Sequence, residues 1–297
     1  MLENVQRRRV VLDSGLEIAL LDWGGGGPLA LLNHANGFCA ALWELVAEAL
    51  RPQFRVVAMD ARGHGDSSKP VGAASYRWDH FGRDAAEVAA KLAAERPDGC
   101  VALGLGHSFG GTALLGASVE RPGLFDRLVV VDPIVLPSPG SEAEDDPPSR
   151  GTGLAEGARK RRHVWPDRGA ARARWSDKEM FAGWDPRLFE LYLAEGMFDR
   201  DDGQVELKCP GEVEASIFEQ GANSGVEESV LRVQAPTLIL WAARGDFPRE
   251  HFEKLAAGMS DACVRDADAG HFVPMERPDL VVAAVLAASA APQRSTG

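Results

Sequence analysis

Short, unbroken apolar runs alternate with longer amphipathic stretches along most of this chain. Residues 7–12 and 16–22 flank Asp13-Ser14-Gly15, a turn signal, and predict an opening hairpin. Leu29-Ala30-Leu31-Leu32 is apolar on both faces and predicts a buried strand, ending at His34. A helix over 41–50, a strand over 54–59 ending at Asp60, and a polar loop over 62–68 follow. From Trp78 to Arg96, Phe81, Ala85, Val88 and Leu92 recur at steps of four, three and four, one face of a helix that Pro97 stops. Strands over 100–105 and 128–131 bracket a helix reaching about Glu120. Strands alternating with helices at this rhythm imply a mostly parallel sheet with right-handed crossovers.

The rhythm breaks for about a hundred residues and returns at Thr237-Leu238-Ile239-Leu240-Trp241. The break opens on Pro137-Ser138-Pro139-Gly140 and the acidic stretch 142–148, which reads as a solvated hinge or loop. Beyond it the pattern is helical: Asp185-Pro186 starts a helix and Gly196 ends it. Trp165, Trp175, Phe181, Trp184, Phe198 and Phe218 concentrate aromatics here. We read 135–232 as a helical cap inserted into an α/β core formed by 1–134 and 233–297, with about eight strands. After residue 241 a loop over 245–248, a helix over 249–258, a strand over 262–264, a loop over 268–274, a final helix over 276–290 and a frayed tail over 292–297 complete the chain.

Composition narrows the function classes. No segment approaches the roughly 18 uninterrupted apolar residues that span a bilayer, and the start lacks an apolar stretch with a cleavage site, so a cytoplasmic protein is the expectation. A net charge of −12 disfavours nucleic acid as a partner, since a phosphate backbone needs a basic face. Cys39, Cys100, Cys209 and Cys263 have no C-x-x-C spacing, so reduced thiols are expected rather than a zinc site or disulfides. Nor do the histidines show metal-ligand spacing, and no metal or cofactor is expected. The basic run Arg159-Lys160-Arg161-Arg162 points all round a helix and reads as a solvated face.

The chemistry centres on Gly106-His107-Ser108-Phe109-Gly110, placed between a strand and a helix. A bare G-x-S-x-G carries little; strand, sharp turn and helix around it are what expose a nucleophilic hydroxyl. Such a serine needs a base, and the base needs a third group to hold it. His271 and Asp246 lie in loops after the last two strands, at the carboxyl edge where ligands of a parallel sheet bind. The order Ser108, Asp246, His271 fits the order serine, acid, histidine.

Together with His34-Ala35-Asn36-Gly37-Phe38, Asp60-Ala61-Arg62-Gly63-His64-Gly65-Asp66-Ser67 and Gly270-His271-Phe272, these features resemble the α/β-hydrolase fold family over essentially the whole length. The resemblance implies a capped Ser-His-Asp hydrolase. It also raises Asp132, directly after the strand that follows Ser108, as a rival acid; chain order favours Asp246. One oxyanion donor is then the backbone N–H of Phe109, and the other comes from the loop at Asn36, by backbone or side-chain amide. Ala35 stands where the family carries glycine, which leaves the second donor open. His34 reads as a brace for that loop. His34, Asn36 and Trp43 also look like the halide-holding loop of haloalkane dehalogenases, which, like epoxide hydrolases, use an aspartate nucleophile; Ser108 argues against both. With Phe38, these residues are the candidate substrate contacts.

The expected activity is hydrolysis of a small hydrophobic or aromatic ester, lactone or thioester (EC 3.1) by a monomer or homodimer. The alternatives are a carbon–carbon bond hydrolase with the same triad (EC 3.7) and a small-molecule receptor on a hydrolase scaffold.

Overall fold

The computed structural model describes residues 2, 4–136, 147–221 and 225–290. Its main sheet has eight strands in the order β1-β2-β4-β3-β5-β6-β10-β11. The antiparallel hairpin of β1 (Gln6–Val11) and β2 (Glu17–Gly24) forms one edge. Beside it β4 (Arg55–Met59) pairs antiparallel with β2 and parallel with β3 (Leu29–Asn33). Then come β5 (Leu103–His107), β6 (Leu128–Val131), β10 (Thr237–Arg244) and β11 (Ala262–Gly270), all parallel.

The central strands are apolar on both faces because helices cover both. In β3, Leu29 and Leu31 join one hydrophobic cluster while Ala30 and Leu32 join the other, the period of two that a pleated strand dictates. On one side lie α1 (Glu44–Leu50) and α12 (Pro278–Ala290); on the other lie α2 (Trp78–Ala93), α3 (Phe109–Glu120) and α10 (Arg249–Gly258). The stripe Phe81, Ala85, Val88 and Leu92 is buried, and α2 crosses α3 so closely that a Cβ on Gly82 would stand 3.2 Å from Gly116 backbone. A one-turn helix, α11 (Val273–Glu276), precedes α12.

The segment between β6 and β10 is only partly as expected. It holds α4 (Pro147–Lys160), α5 (Arg168–Trp175), α6 (Glu179–Ala182), α7 (Pro186–Glu195) and α8 (Gly211–Gly221). It also holds a three-stranded antiparallel sheet of β7 (Val164–Trp165), β8 (Met197–Asp199) and β9 (Val205–Leu207). Strands of two or three residues are too short to show alternation, so the segment read as all helical. At its end α9 (Val226–Val230) packs on α3, with Val230 buried among core residues, so the core resumes before residue 233. The acidic stretch after Pro137 falls mostly, and the tail over 292–297 wholly, outside the described residues. Among the described residues no helix is long and apolar enough to cross a membrane, and the four cysteines are unpaired, with Cys39 and Cys209 buried and Cys263 exposed.

Candidate active site

Strand β5 runs two residues further than the apolar pattern suggests and ends at His107, so Ser108 is the turn itself. Ser108 has φ 55° and ψ −127°, a conformation that L-residues seldom adopt and that surrounding structure must enforce. Two glycines make the turn possible. A Cβ on Gly106 would lie 2.5 Å from Gly111 Cα, and one on Gly110 would lie 2.3 Å from the His34 carbonyl oxygen. Neither contact can relax cheaply, because both meet backbone. Ser108 N–H donates to Val131 O at 2.8 Å, tying the turn to β6.

His271 directly follows β11, which extends six residues beyond the predicted strand. Its Nε2 stands 2.9 Å from Ser108 Oγ and its Nδ1 stands 2.6 Å from Asp132 Oδ2. Asp132 follows β6, is fully buried and has φ 44°. Its second oxygen accepts the Ala242 N–H at 3.2 Å, and its own N–H donates to Leu240 O at 2.8 Å.

The carboxylate on His271 is therefore Asp132, and the preference for Asp246 is corrected. Strand β10 runs to Arg244, three residues past Trp241, and places Asp246 in an exposed position beyond it. Backbone meets Asp132 instead: Ala242 N–H from β10, and Gly245 in the loop after it, where a Cβ would stand 2.8 Å from Asp132 Oδ2. Chain order alone could not distinguish a loop that presents a carboxylate from one that must crowd against another.

Two further groups hold His271. Gly270 N–H donates to Glu276 Oε2 at 2.7 Å. His107 Nε2 donates to the His271 carbonyl oxygen at 2.8 Å, with the two rings 5.1 Å apart. Burial, and next the nearby His271, hold the His107 imidazole well below its ordinary range. Sequence reasoning gave His107 no role beyond flanking the serine.

Phe109 heads α3, so its N–H belongs to the first turn, whose amides have no intrahelical acceptor. Its ring packs at 4.5 Å from Phe81 and 5.3 Å from Trp78. The loop after β3 forms a turn in which Phe38 N–H donates to Ala35 O at 3.2 Å and Gly37 sits at φ 83°, as a type II turn requires. His34 bridges two loops, with Nδ1 2.7 Å from Ala35 O and Nε2 accepting Ala61 N–H at 3.1 Å. The side-chain amide of Asn36 is already engaged: Nδ2 donates to Glu214 O at 3.1 Å.

Phe38 packs against Trp184, Tyr192 and Phe272 at 5.3–5.7 Å. Trp43 lies in the hydrophobic core, 2% exposed. In the basic run Arg159, Lys160 and Arg162 are exposed as expected, but Arg161 turns inward and pairs with Glu214 at 2.5 Å. A cleft of about 190 Å³ between α2, α3 and α9 touches Phe109, yet neither Ser108 nor His271 lines it. Among the described residues no group of three or more histidine, cysteine or carboxylate side chains is arranged to hold a metal ion.

Residues 29–284 match the model of the alpha/beta hydrolase family. An uncharacterized protein of Mycobacterium tuberculosis is 35% identical over 107 residues, 36% of this chain and 29% of that protein. A fluoroacetate dehalogenase of a Burkholderia species is 34% identical over 135 residues, 44% of this chain and 42% of that protein. The chain thus spans less than half the length of either relative. The crystal structure of E-2-(acetamidomethylene)succinate hydrolase superposes with a TM-score of 0.80 at 21% identity, covering 97% of this chain and 100% of that one. The fold is the α/β-hydrolase fold.

Proposed function

This chain belongs to the alpha/beta hydrolase family, and from that premise we propose that it is a serine hydrolase acting on a small hydrophobic or aromatic ester, lactone or thioester. The observation that carries this reading is the line Ser108 Oγ, His271 Nε2, His271 Nδ1, Asp132 Oδ2, with spacings of 2.9 and 2.6 Å at its two contacts. It is the arrangement in which a serine hydroxyl can lose its proton as it attacks.

In this mechanism His271 Nε2 takes the Ser108 proton while Oγ bonds to the substrate carbonyl carbon. Asp132, acting through Nδ1, keeps the imidazole in the correct tautomer and stabilises the imidazolium that forms. The carbonyl oxygen becomes an oxyanion, facing the backbone N–H groups of Phe109 and Asn36. Collapse expels the leaving group, which receives the proton from His271, and leaves an acyl-enzyme. His271 then deprotonates a water that attacks the acyl carbon, and Ser108 is restored.

The aromatic groups Phe38, Trp184 and Phe272 favour an apolar acyl or leaving group. In this reading the segment over 135–232 acts as a cap. Similarity to a dehalogenase does not bring dehalogenation with it, because Ser108 stands where haloalkane dehalogenases carry an aspartate. Hydrolysis of simple aryl esters, lost in Ser108→Ala, is the test. Turnover of vinylogous diketones in place of aryl esters would instead favour carbon–carbon hydrolysis by the same residues. Saturable ligand binding without turnover of either would favour a receptor.

A further inference from the structure

The turn over Ala35–Phe38 offers the second oxyanion donor in the reading above, and much of its support comes from outside the core. On the core side, Gly37 N–H donates to His64 Nε2 at 3.0 Å, and His64 Nδ1 lies 3.1 Å from Arg62 O. From the cap, Tyr192 on α7 donates its hydroxyl to Gly37 O at 3.2 Å. Residue 214 on α8 accepts the Asn36 side-chain amide on its carbonyl oxygen at 3.1 Å. The Glu214 carboxylate also lies flush on the turn, since a Cβ on Gly37 would stand 2.8 Å from Oε1.

That carboxylate is paired with Arg161, and the pair is largely buried. Burying two charges carries a desolvation cost that their attraction offsets only with good geometry and further hydrogen bonds. Here the pair ties the end of α4 to α8 where α8 meets the turn. Cap residues thus engage the Asn36 side-chain amide and the Gly37 carbonyl, while on the core side Asn36 Oδ1 lies 3.1 Å from His64 Nε2.

We propose that the cap completes the oxyanion hole: the Tyr192 hydroxyl, on the Gly37 carbonyl, and the α8 backbone at Glu214, on the Asn36 side chain, fix the turn over Ala35–Phe38 and with it the direction of the Asn36 backbone N–H. Tyr192 is a positioning residue in this scheme, and the chemistry runs only when the cap is seated. The inference rests on the hydrolase reading and assigns the cap a role in the chemical step. Oxyanion stabilisation depends on donors fixed in advance, and loss of one costs about a hundredfold in rate or more. Partial misplacement costs less.

Tyr192→Phe removes only the hydroxyl and keeps the ring among Phe38, Trp175 and Trp184. On an aryl ester it is expected to lower kcat about tenfold, a fraction of a full donor's effect, with KM unchanged. Affinity for a trifluoromethyl ketone, which forms a tetrahedral adduct on Ser108, should fall by the same factor, while the pH profile of kcat keeps its shape. Asn36→Ala keeps the backbone N–H and should act in the same direction. The double variant should lose less than the product of the single losses, because both contacts hold one turn. Folded Tyr192→Phe and Asn36→Ala proteins that both keep kcat and ketone affinity within about twofold would overturn the proposal, as would a rise in KM alone. Absence of hydrolysis by the unmodified protein would overturn the hydrolase reading itself, and this inference with it.

Discussion

Asp132 meets His271 with Oδ2 at 2.6 Å from Nδ1, across 139 residues of chain. The buried carboxylate's other oxygen accepts Ala242 N–H, so both of its oxygens are engaged, one by His271 and one by the backbone of β10. A histidine held in this way presents Nε2 as a base toward Ser108.

Asp132→Asn is therefore expected to keep the fold and lower kcat by about 10³ to 10⁴-fold, because an amide imposes the wrong tautomer on the imidazole. Asp246→Asn, at an exposed position, should leave kcat within about threefold, as surface substitutions usually do. Steady-state kinetics of the two variants decide between the carboxylates, and the opposite ranking would return the role to the β10 loop.

His107 Nε2 donates to the His271 carbonyl oxygen. His107→Ala removes the donor and is expected to lower kcat about tenfold or more, since small misplacements of reacting groups are costly. His107→Gln supplies an amide N–H at similar reach and should recover much of the loss. Equal losses in both variants, measured with thermal stability as a control, would show that the imidazole matters for packing rather than for its hydrogen bond.

His34, His64 and His107 are buried, and burial holds each imidazole below its ordinary value of 6.5. Below about pH 6.5 the unfolded chain takes up protons that the folded chain refuses, so stability falls as pH falls through that value. Each such histidine contributes a slope of up to about 1.4 kcal/mol per pH unit over the interval between its two values. Urea unfolding at pH 7.5 and 5.5 should show a lower midpoint at 5.5, and His64→Asn should reduce the difference. Equal midpoints would mean that these rings are not kept neutral by the fold.

Much of this site was legible in the sequence. The unbroken apolar runs and the four-three-four spacing of α2 follow from burial of both faces or of one stripe, and the runs placed Ser108 and His271 after strands of the main sheet, though β11 runs six residues further toward His271 than its apolar run shows. The acid was not legible, because Asp132 and Asp246 both follow strands and only the overrun of β10 decides which one reaches His271. The small sheet between β6 and β10 was hidden by the shortness of its strands. Arg161 looked like its solvated neighbours, since its burial depends on Glu214, 53 residues further on, which the local pattern does not show. Tyr192 and Glu214 gave no signal at all, because they meet the turn at Asn36 and Gly37 across 155 and 178 residues of chain.

In the proposed mechanism Ser108 is a nucleophile activated by His271. A fluorophosphonate that reports by mass tests it directly, since the reagent needs both the serine and its base. Stoichiometric labelling of the unmodified protein is expected on the peptide carrying Ser108, with none in Ser108→Ala and slowing in His271→Ala by about 10³-fold or more. An unmodified, folded protein that takes up no label, or one labelled at another residue, would contradict it.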